Sequence, residues 1–196
     1  MPILDVLHFP DPRLRRRSEP IEKITDELRQ LAADMLETMY DEPGIGLAAP
    51  QIGSAIRLIV MDTGWTEEDA ERKPCVFVNP EITERSGEIV WNEGCLSVPD
   101  FSADVKRAES VVLRALDLEG REVVETASGL RAVCFQHELD HLDGVLFIDR
   151  ISRLKRNLYV GRRKKLLQEE GERWTTAGER PPVPIGTRLR AIGTKL

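Results

Sequence analysis

Apolar residues recur at steps of three and four over two segments of the chain, a spacing that is typical of amphipathic helices. The first segment, 26–40, is expected to end before Pro43, because proline cannot continue a helix. The second, 130–142, carries histidines on the face that is expected to point inward. A third helix is predicted over 152–170, weakened at Gly161 and rich in basic residues.

Short runs of β-branched and aromatic residues, bounded by turn residues, predict five strands. They cover 57–61, 75–78, 88–91, 110–117 and 121–126. The turn 118–120 joins the last two strands into a hairpin, and the charged segment 62–73 separates the first two. Several strands in succession indicate an antiparallel sheet, so we expect one α+β domain.

The apolar segment 44–53 contains three glycines and a proline, which disfavour both a helix and a central strand, so we expect a shaped loop. It lacks the lysine of a phosphate-binding loop. Its small residues would let the backbone run beside an extended substrate, and Gln51 offers an amide N–H to an oxyanion. A tight packing loop with a solvated Gln51 is the alternative, and the residues alone leave both open.

The chain has 196 residues, 41% hydrophobic and 32% charged, which fits a globular domain and not a disordered or collagen-like polymer. No apolar stretch approaches the roughly 20 residues of a membrane span, and the first residues lack the apolar run of a signal peptide. Three cysteines are too few for a disulfide scaffold. We therefore expect a cytoplasmic protein without membrane contact, with one domain at 1–170 and a proline-containing tail at 171–196.

Charge is distributed unevenly along the chain, whose net charge is −6. Residues 1–149 hold 15 basic and 30 acidic side chains, a net charge of −15, whereas residues 150–196 hold 13 and 4, a net charge of +9. The basic end is either the solvated face of a helix or a patch that meets a polyanion such as RNA. The sequence leaves both interpretations open.

The segment His137-Glu138-Leu139-Asp140-His141 follows the H-E-x-x-H pattern on the second predicted helix. A spacing of four residues places both imidazoles on one face, about 6 Å apart at their Cβ atoms, where they can share one divalent ion. Glu138 lies further round the helix and can take a proton from a water at the metal. Chance occurrence on a solvated helix is the alternative. It is disfavoured because two of only three histidines lie here, on the apolar side.

A catalytic site of this kind usually has three protein ligands and one open position, so a third ligand is needed. Cys134 lies one turn before His137, but a tripod over 134–141 would extend about 10 Å along the helix axis, which is long for one ion. Cys95 follows Gly94 on a predicted turn, from which a thiolate could reach a helix packed across the sheet. The spacing therefore favours Cys95 as the third ligand and a core position for Cys134. It does not by itself decide which of the two cysteines binds the metal.

Two other potential ligands are given structural roles. Cys75 lies inside a predicted strand and is expected to be buried and inert. His8 lies in a His-Phe-Pro segment and is expected to have a surface or packing role.

Three segments in succession resemble the three signature motifs of the peptide deformylases, in their usual order. They are Gly44-Ile45-Gly46-Leu47-Ala48-Ala49-Pro50-Gln51, Glu93-Gly94-Cys95-Leu96-Ser97 and Gln136-His137-Glu138-Leu139-Asp140-His141. The start of the chain, 6–14, is also similar, so the resemblance covers roughly residues 3–155. It implies an α+β fold in which antiparallel β-sheets pack around a central metal-binding helix, with a C-terminal helix.

The resemblance implies a metal-dependent hydrolase whose catalytic domain, 1–170, removes the formyl group from the N-terminal formylmethionine of newly made proteins. Cys95, His137 and His141 would bind Fe²⁺, with water as fourth ligand, and Zn²⁺, Ni²⁺ or Co²⁺ could occupy the same site. Glu138 would be the catalytic acid and base.

Further roles follow from the same resemblance. Gln51 and the backbone N–H of Leu96 would donate to the oxyanion, and the backbone around Ile45 and Gly46 would pair with the substrate. The expected partners are N-formylmethionyl nascent peptides and, through the basic C-terminal helix, the ribosome. We expect a monomer.

Two other classes of protein are alternatives to this one. The H-E-x-x-H pattern also occurs in zinc metalloproteases, but no histidine follows His141, so an acidic residue such as Glu169 would have to be the third ligand. A non-catalytic, metal-stabilised binding protein is the second, and the presence of Gln51, Cys95 and Glu138 argues against it.

Overall fold

Seven β-strands and three α-helices make up the part of the chain that the computed structural model describes, residues 2–65, 71–169 and 171. The helices are α1 (Asp26–Asp41), α2 (Gly129–Leu142) and α3 (Arg153–Glu169). The strands are β1 (Gly46–Ala48), β2 (Leu58–Met61), β3 (Cys75–Ser86), β4 (Ile89–Cys95), β5 (Val98–Arg107), β6 (Ser110–Leu116) and β7 (Glu122–Ser128). All three predicted helices are confirmed to within one residue at each end.

Five strands form one antiparallel sheet in the order β1-β2-β3-β6-β7, and β4 and β5 form a separate antiparallel hairpin. On β2, Leu58 and Val60 pack in the core with α1. The alternate residues Ile59 and Met61 pack with α2. Since successive side chains of a strand point to opposite faces, the two helices cover the two faces of the sheet. The predicted α+β fold with antiparallel sheets is confirmed.

Helix α1 begins at a side-chain cap and is held by one apolar stripe. The hydroxyl of Thr25 accepts a hydrogen bond from the backbone N–H of Leu28 at 3.3 Å, which satisfies one of the free donors of the first turn. Ala32, Met35 and Met39 are fully buried against the sheet. These spacings of three and four residues are the pattern from which the helix was predicted.

Helix α2 lies at the centre of the protein, since every residue from 132 to 142 is buried. One side packs on the five-stranded sheet, where Phe135 meets Phe77 edge to face with ring centroids 5.1 Å apart. The other side faces the β4-β5 hairpin, to which His137 and His141 are both bonded. The helix can therefore hold polar side chains away from water.

Several segments differ from the predictions, two of them because they lie at the edges of sheets. The expected loop 44–53 includes β1, a three-residue strand at the edge of the sheet. An edge strand pairs with a neighbouring strand on one side only, and glycine is tolerated there. No strand was predicted between residues 91 and 110, yet β5 runs through Pro99, because a two-stranded hairpin leaves one edge of each strand unpaired. Strand β3 also runs further than 78, since a register shift around Asn79 takes Pro80 out of the ladder.

Helix α3 is the last described element, and it packs through a narrow stripe of buried residues. Tyr159 stacks on Phe101 of β5 with ring centroids 4.7 Å apart, and the Nε of Arg163 donates to the carbonyl of Phe9 at 3.2 Å. Most of the predicted tail, 172–196, lies outside the described residues. Within the described ranges, no helix is both long enough and apolar enough to cross a membrane.

Candidate metal centre

Cys95, His137 and His141 converge on one point beside α2. The Sγ of Cys95 lies 3.2 Å from Nε2 of His141, which lies 3.3 Å from Nε2 of His137. The three ligand atoms all lie within 4.8 Å of one another. In the part of the chain that the structure describes, no other group of three or more His, Cys, Asp or Glu side chains is arranged in this way.

Two local features bring these side chains together. The four-residue spacing on α2 places the two imidazoles on one face, with ring centroids 5.0 Å apart. Cys95 is the last residue of β4, and the turn at Leu96 and Ser97 reverses the chain so that Cys95 pairs with Val98 of β5. The tip of the hairpin thereby carries the thiol to the helix.

The geometry fits a tetrahedral metal ion. Two nitrogen ligands, each about 2.0–2.1 Å from an ion, are about 3.3 Å apart at the tetrahedral angle, which matches the separation of the two Nε2 atoms. A thiolate and two imidazoles suit Zn²⁺ and the neighbouring divalent ions, and three protein ligands leave one position for water. The residues therefore fit the metal site that the sequence resemblance implies.

The other candidate ligands lie elsewhere. Cys134 is fully buried, its Sγ is 3.8 Å from the carbonyl oxygen of Ile45, and burial raises the pKa of its thiol. Its assignment to the core is confirmed. The expectation that Cys75 is buried is wrong, because it begins β3 half-exposed, with Nη2 of Arg131 3.6 Å from its Sγ. His8 is half-buried and is not part of the ligand group.

Glu93 and Arg107, for which no role was predicted, orient His137, one of the three converging side chains. Oε2 of Glu93 accepts a hydrogen bond from Nδ1 of His137 at 2.8 Å, which leaves Nε2 for the metal. Arg107 donates to both oxygens of Glu93, at 2.6 and 2.9 Å. Burial alone would raise the pKa of Glu93, but the bonds from Arg107 and His137 outweigh it and lower this pKa to about 2. The carboxylate is therefore ionised and acts only as an acceptor.

The two imidazoles have opposite pKa shifts. Burial lowers the pKa of His141 well below its ordinary value, and the charge of His137 adds to the effect. Burial also opposes a charge on His137, but Cys95 and Glu93 outweigh burial and raise the pKa of His137 well above its ordinary value. The surroundings thus favour one positive charge at this point, which suits the binding of a metal cation.

Glu138 lies next to the ligand group without belonging to it. Its side chain is buried, and Oε2 has no hydrogen-bond partner among the described residues. Burial raises the pKa of Glu138 to about 7, so the carboxyl group can both accept and return a proton near neutral pH. A Cβ at Gly46 would overlap this carboxyl group and lie 2.9 Å from Sγ of Cys134, so only glycine fits there.

Gln51 is fixed in the interior, and the alternative of a solvated side chain is wrong. Its Oε1 accepts the backbone N–H of Ala48 at 2.8 Å. Its Nε2 lies 3.2 Å from the hydroxyl of Ser97 and 3.7 Å from Sγ of Cys95. Leu96 follows directly in the turn after the cysteine and is half-buried. The amide N–H group of Gln51 and the turn therefore lie on the same side of the centre.

Strand β1 presents an edge beside this centre. It is the outermost strand of its sheet, with Gly46 opposite Met61 of β2. The carbonyl of Ile45 accepts from the backbone N–H of Asp62 at 2.9 Å. Because hydrogen bonding alternates along an antiparallel strand, the N–H and C=O of Gly46 point away from β2.

A buried carboxyl group of near-neutral pKa, next to a site for one tetrahedral ion with an open position, defines a metal-dependent hydrolase. Comparison with known proteins specifies which one. The family model for polypeptide deformylase matches residues 3–157. A peptide deformylase from Alkalilimnicola ehrlichii is 52% identical over 169 residues, which cover 86% of this chain and 93% of the relative.

Solved structures agree with this match. A peptide deformylase from Legionella pneumophila has a TM-score of 0.79 and 42% identity, covering 88% of this chain and 100% of that one. The Ehrlichia chaffeensis enzyme in complex with actinonin has a TM-score of 0.79 and 37% identity, covering 85% and 98%. The chain belongs to the polypeptide deformylase family. It is a metal-dependent hydrolase that removes the N-formyl group from nascent peptides, which sets aside the metalloprotease and non-catalytic interpretations.

Proposed function

We propose that deformylation takes place at the point where Cys95, His137 and His141 meet, and that these side chains hold the catalytic ion. The convergence of their three ligand atoms within 4.8 Å is the observation that carries the proposal. When bound, the ion supplies Lewis-acid activation of water and of the formyl oxygen. The substrates are nascent peptides that begin with N-formylmethionine.

Glu138 moves the proton in the proposed reaction. It takes a proton from the attacking water and passes it to the departing amine, so that formate and a free amino terminus are released. A pKa of about 7 suits both steps. The Nε2–H of Gln51 and the backbone N–H of Leu96 donate to the oxyanion that develops on the formyl group. Ala48 and Ser97 hold the Gln51 amide in place beforehand.

The substrate backbone is proposed to add to the outer edge of β1. Gly46 offers one N–H and one C=O on that edge, which is the pairing that an extended peptide uses when it adds a strand. Ile45 fixes the adjoining peptide unit through its bond to Asp62. This edge lies directly beside Glu138 and Cys134, which supports a binding mode in which the amino terminus of the peptide is close to the ligand group.

The activity is tested with a formyl-Met peptide and its unformylated counterpart. We expect release of formate from the first, no reaction with the second, and no cleavage of internal peptide bonds in either. Cleavage inside the unformylated peptide would contradict the proposal. The absence of formate from a metal-loaded, folded preparation would do so as well.

Fe²⁺ is the proposed ion, with Zn²⁺, Ni²⁺ or Co²⁺ as substitutes. The thiolate and the two imidazoles are donors that all four ions accept. Elemental analysis of protein purified without air identifies the ion, and iron is expected. We also propose a cytoplasmic monomer with a single catalytic domain at 1–170 and a tail at 171–196. All three cysteines are free, as a reducing compartment requires.

The basic face of α3 is proposed to dock on the ribosome. Its exposed basic residues are Arg153, Lys155, Arg162, Lys164 and Lys165. The helix also buries Tyr159 and Leu167, so deleting it would expose the core, and charge reversal is the sharper test. We expect Arg162→Glu combined with Lys164→Glu to weaken cosedimentation with ribosomes roughly tenfold or more through like-charge repulsion.

The matched control reverses two exposed basic residues outside α3, by Arg16→Glu combined with Lys23→Glu. This variant changes the net charge by the same amount, and it should bind ribosomes as the unchanged protein does. If both double variants weakened ribosome binding equally, docking through α3 would be contradicted, because binding would then depend only on the total charge of the protein.

A further inference from the structure

A series of charged side chains runs from the metal centre to the surface. Beyond the pair of Glu93 with His137, Arg107 uses its Nη1 to bind Oδ2 of Asp140 at 2.7 Å. Asp140 is in turn held by Arg150 at both of its carboxylate oxygens. The exposed fraction of the side chains rises outward, from 0% for Glu93 and 3% for Arg107 to 11% for Asp140 and 43% for Arg150.

Each inner side chain depends on the next one outward. Arg107 is buried, so its N–H groups need acceptors, and they find them on Glu93 and Asp140. If Asp140 turned away, the guanidinium would lose a charged partner, although its side chain is only 3% exposed. Because Arg107 binds both oxygens of Glu93, a shift of Arg107 would also turn the carboxylate that orients His137.

Asp140 has space in which to turn. A cavity of about 460 Å³ opens beside it, and Arg85 and Lys106 are among the residues that line this cavity. The two bonds from Arg150 form a fork that holds the Asp140 carboxylate in one orientation, toward Arg107. Without that fork, water and the other cations of the cavity would compete for the carboxylate.

We infer that Asp140 and Arg150 are positioning residues of the metal centre, which act through Arg107 and Glu93 to keep Nε2 of His137 directed at the ion. The inference rests on the proposed metal centre. It gives a role to Asp140, the charged residue of the H-E-x-x-H segment that the deformylation reaction itself does not use. It also makes a half-exposed surface arginine a determinant of metal retention.

The test compares Arg150→Ala with Arg156→Ala. The two arginines are exposed to almost the same extent, 43% and 42%, and each forms an ion pair with an aspartate. The partner of Arg156 is Asp149, which binds Arg15 and not the buried series. Full-length, zinc-loaded variants are mixed with an excess of a chelating dye, and the rate of zinc transfer is followed by absorbance.

Zinc loss is expected to be about tenfold faster for Arg150→Ala and about 100-fold faster for Asp140→Asn, if the loss of affinity of about 10- to 100-fold that follows removal of groups orienting metal ligands is expressed in the rate of release. Arg156→Ala should match the unchanged protein. Arg150→Lys keeps a charge but not the fork, so its rate should lie between those of Arg150→Ala and the unchanged protein. If Asp140→Asn does not fold, the Arg150 variants still decide the question.

A merely structural role would give different results. In a Glu93→Gln background the link to His137 is already weakened, so Arg150→Ala should add little to the rate of zinc loss. The metal-free forms of Arg150→Ala and Arg156→Ala should also unfold at similar temperatures. Equal zinc loss from these two variants, or full additivity with Glu93→Gln, would overturn the inference. An unchanged protein that binds no zinc would instead contradict the metal centre itself.

Discussion

Glu138→Ala is expected to leave metal binding intact and to lower the rate of formate release by about 10²- to 10⁴-fold, the usual contribution of a general acid and base. The Glu138 carboxyl group is buried, has a pKa of about 7 and is not one of the three converging ligand atoms. Its removal takes away the proton acceptor for the attacking water but none of the proposed ligands. The measurement is kcat on a formyl-Met peptide, with the metal content determined on the same preparation.

Glu138→Gln separates proton transfer from packing. Glutamine has nearly the shape of glutamate but does not carry a proton from water to the amine, so we expect a loss of similar size. Asp143→Asn is the matched control, since Asp143 is an acidic residue at the end of the same helix and half of its side chain is exposed. It should keep the normal rate. A near-normal rate in either Glu138 variant with metal bound would contradict the acid and base assignment.

The helix that carries the centre was predictable because its signals are local. The spacing of His137 and His141 fixes both on one face of any α-helix, whatever surrounds it. Gly129 and Gly144 bracket this helix, and both have positive φ in the structure, 56° and 73°. The identity of the enzyme also rests on short motifs that are continuous in sequence. Such features depend on neighbours within four or five residues, which the sequence displays directly.

The parts that the sequence did not reveal depend on pairing between distant segments. Glu93 and Arg107 meet because β4 and β5 pair in one register, which sets Glu93 opposite Ala103 and Ile89 opposite Arg107. Since β5 itself was not predicted, neither was this register. The charges of Glu93 and Arg107 within extended segments were a signal that could have been used. The sequence alone, however, does not show which face of the hairpin is buried. The steric requirement for Gly46 likewise appears only when α2 lies against β1.

The choice between two cysteines shows the same limit and leads to the second large effect. Spacing alone made Cys134 a candidate, because it lies one turn from His137, and it favoured Cys95 without deciding between the two. The fold distinguishes the two cysteines by what their Sγ atoms contact. Cys95 has its Sγ 3.2 Å from Nε2 of His141, whereas Cys134 points toward the carbonyl of Ile45. Cys134 lies on the same helix as the two histidines and is separated from them along the helix axis. Cys95 approaches them from the β4-β5 hairpin, outside the helix.

Cys95→Ala is therefore expected to weaken zinc binding by more than about 100-fold, beyond the loss caused by removing a group that only orients a ligand. Formate release should fall with the loss of metal, because two imidazoles alone rarely hold a catalytic ion. Cys134→Ala is the matched control, since it removes the same thiol from the neighbouring core. It should keep its zinc and show only a lower free energy of unfolding, by about 1 kcal/mol for the small cavity. Competition with a chelating dye measures both affinities, and loss of zinc from Cys134→Ala with retention by Cys95→Ala would reverse the assignment of the third ligand.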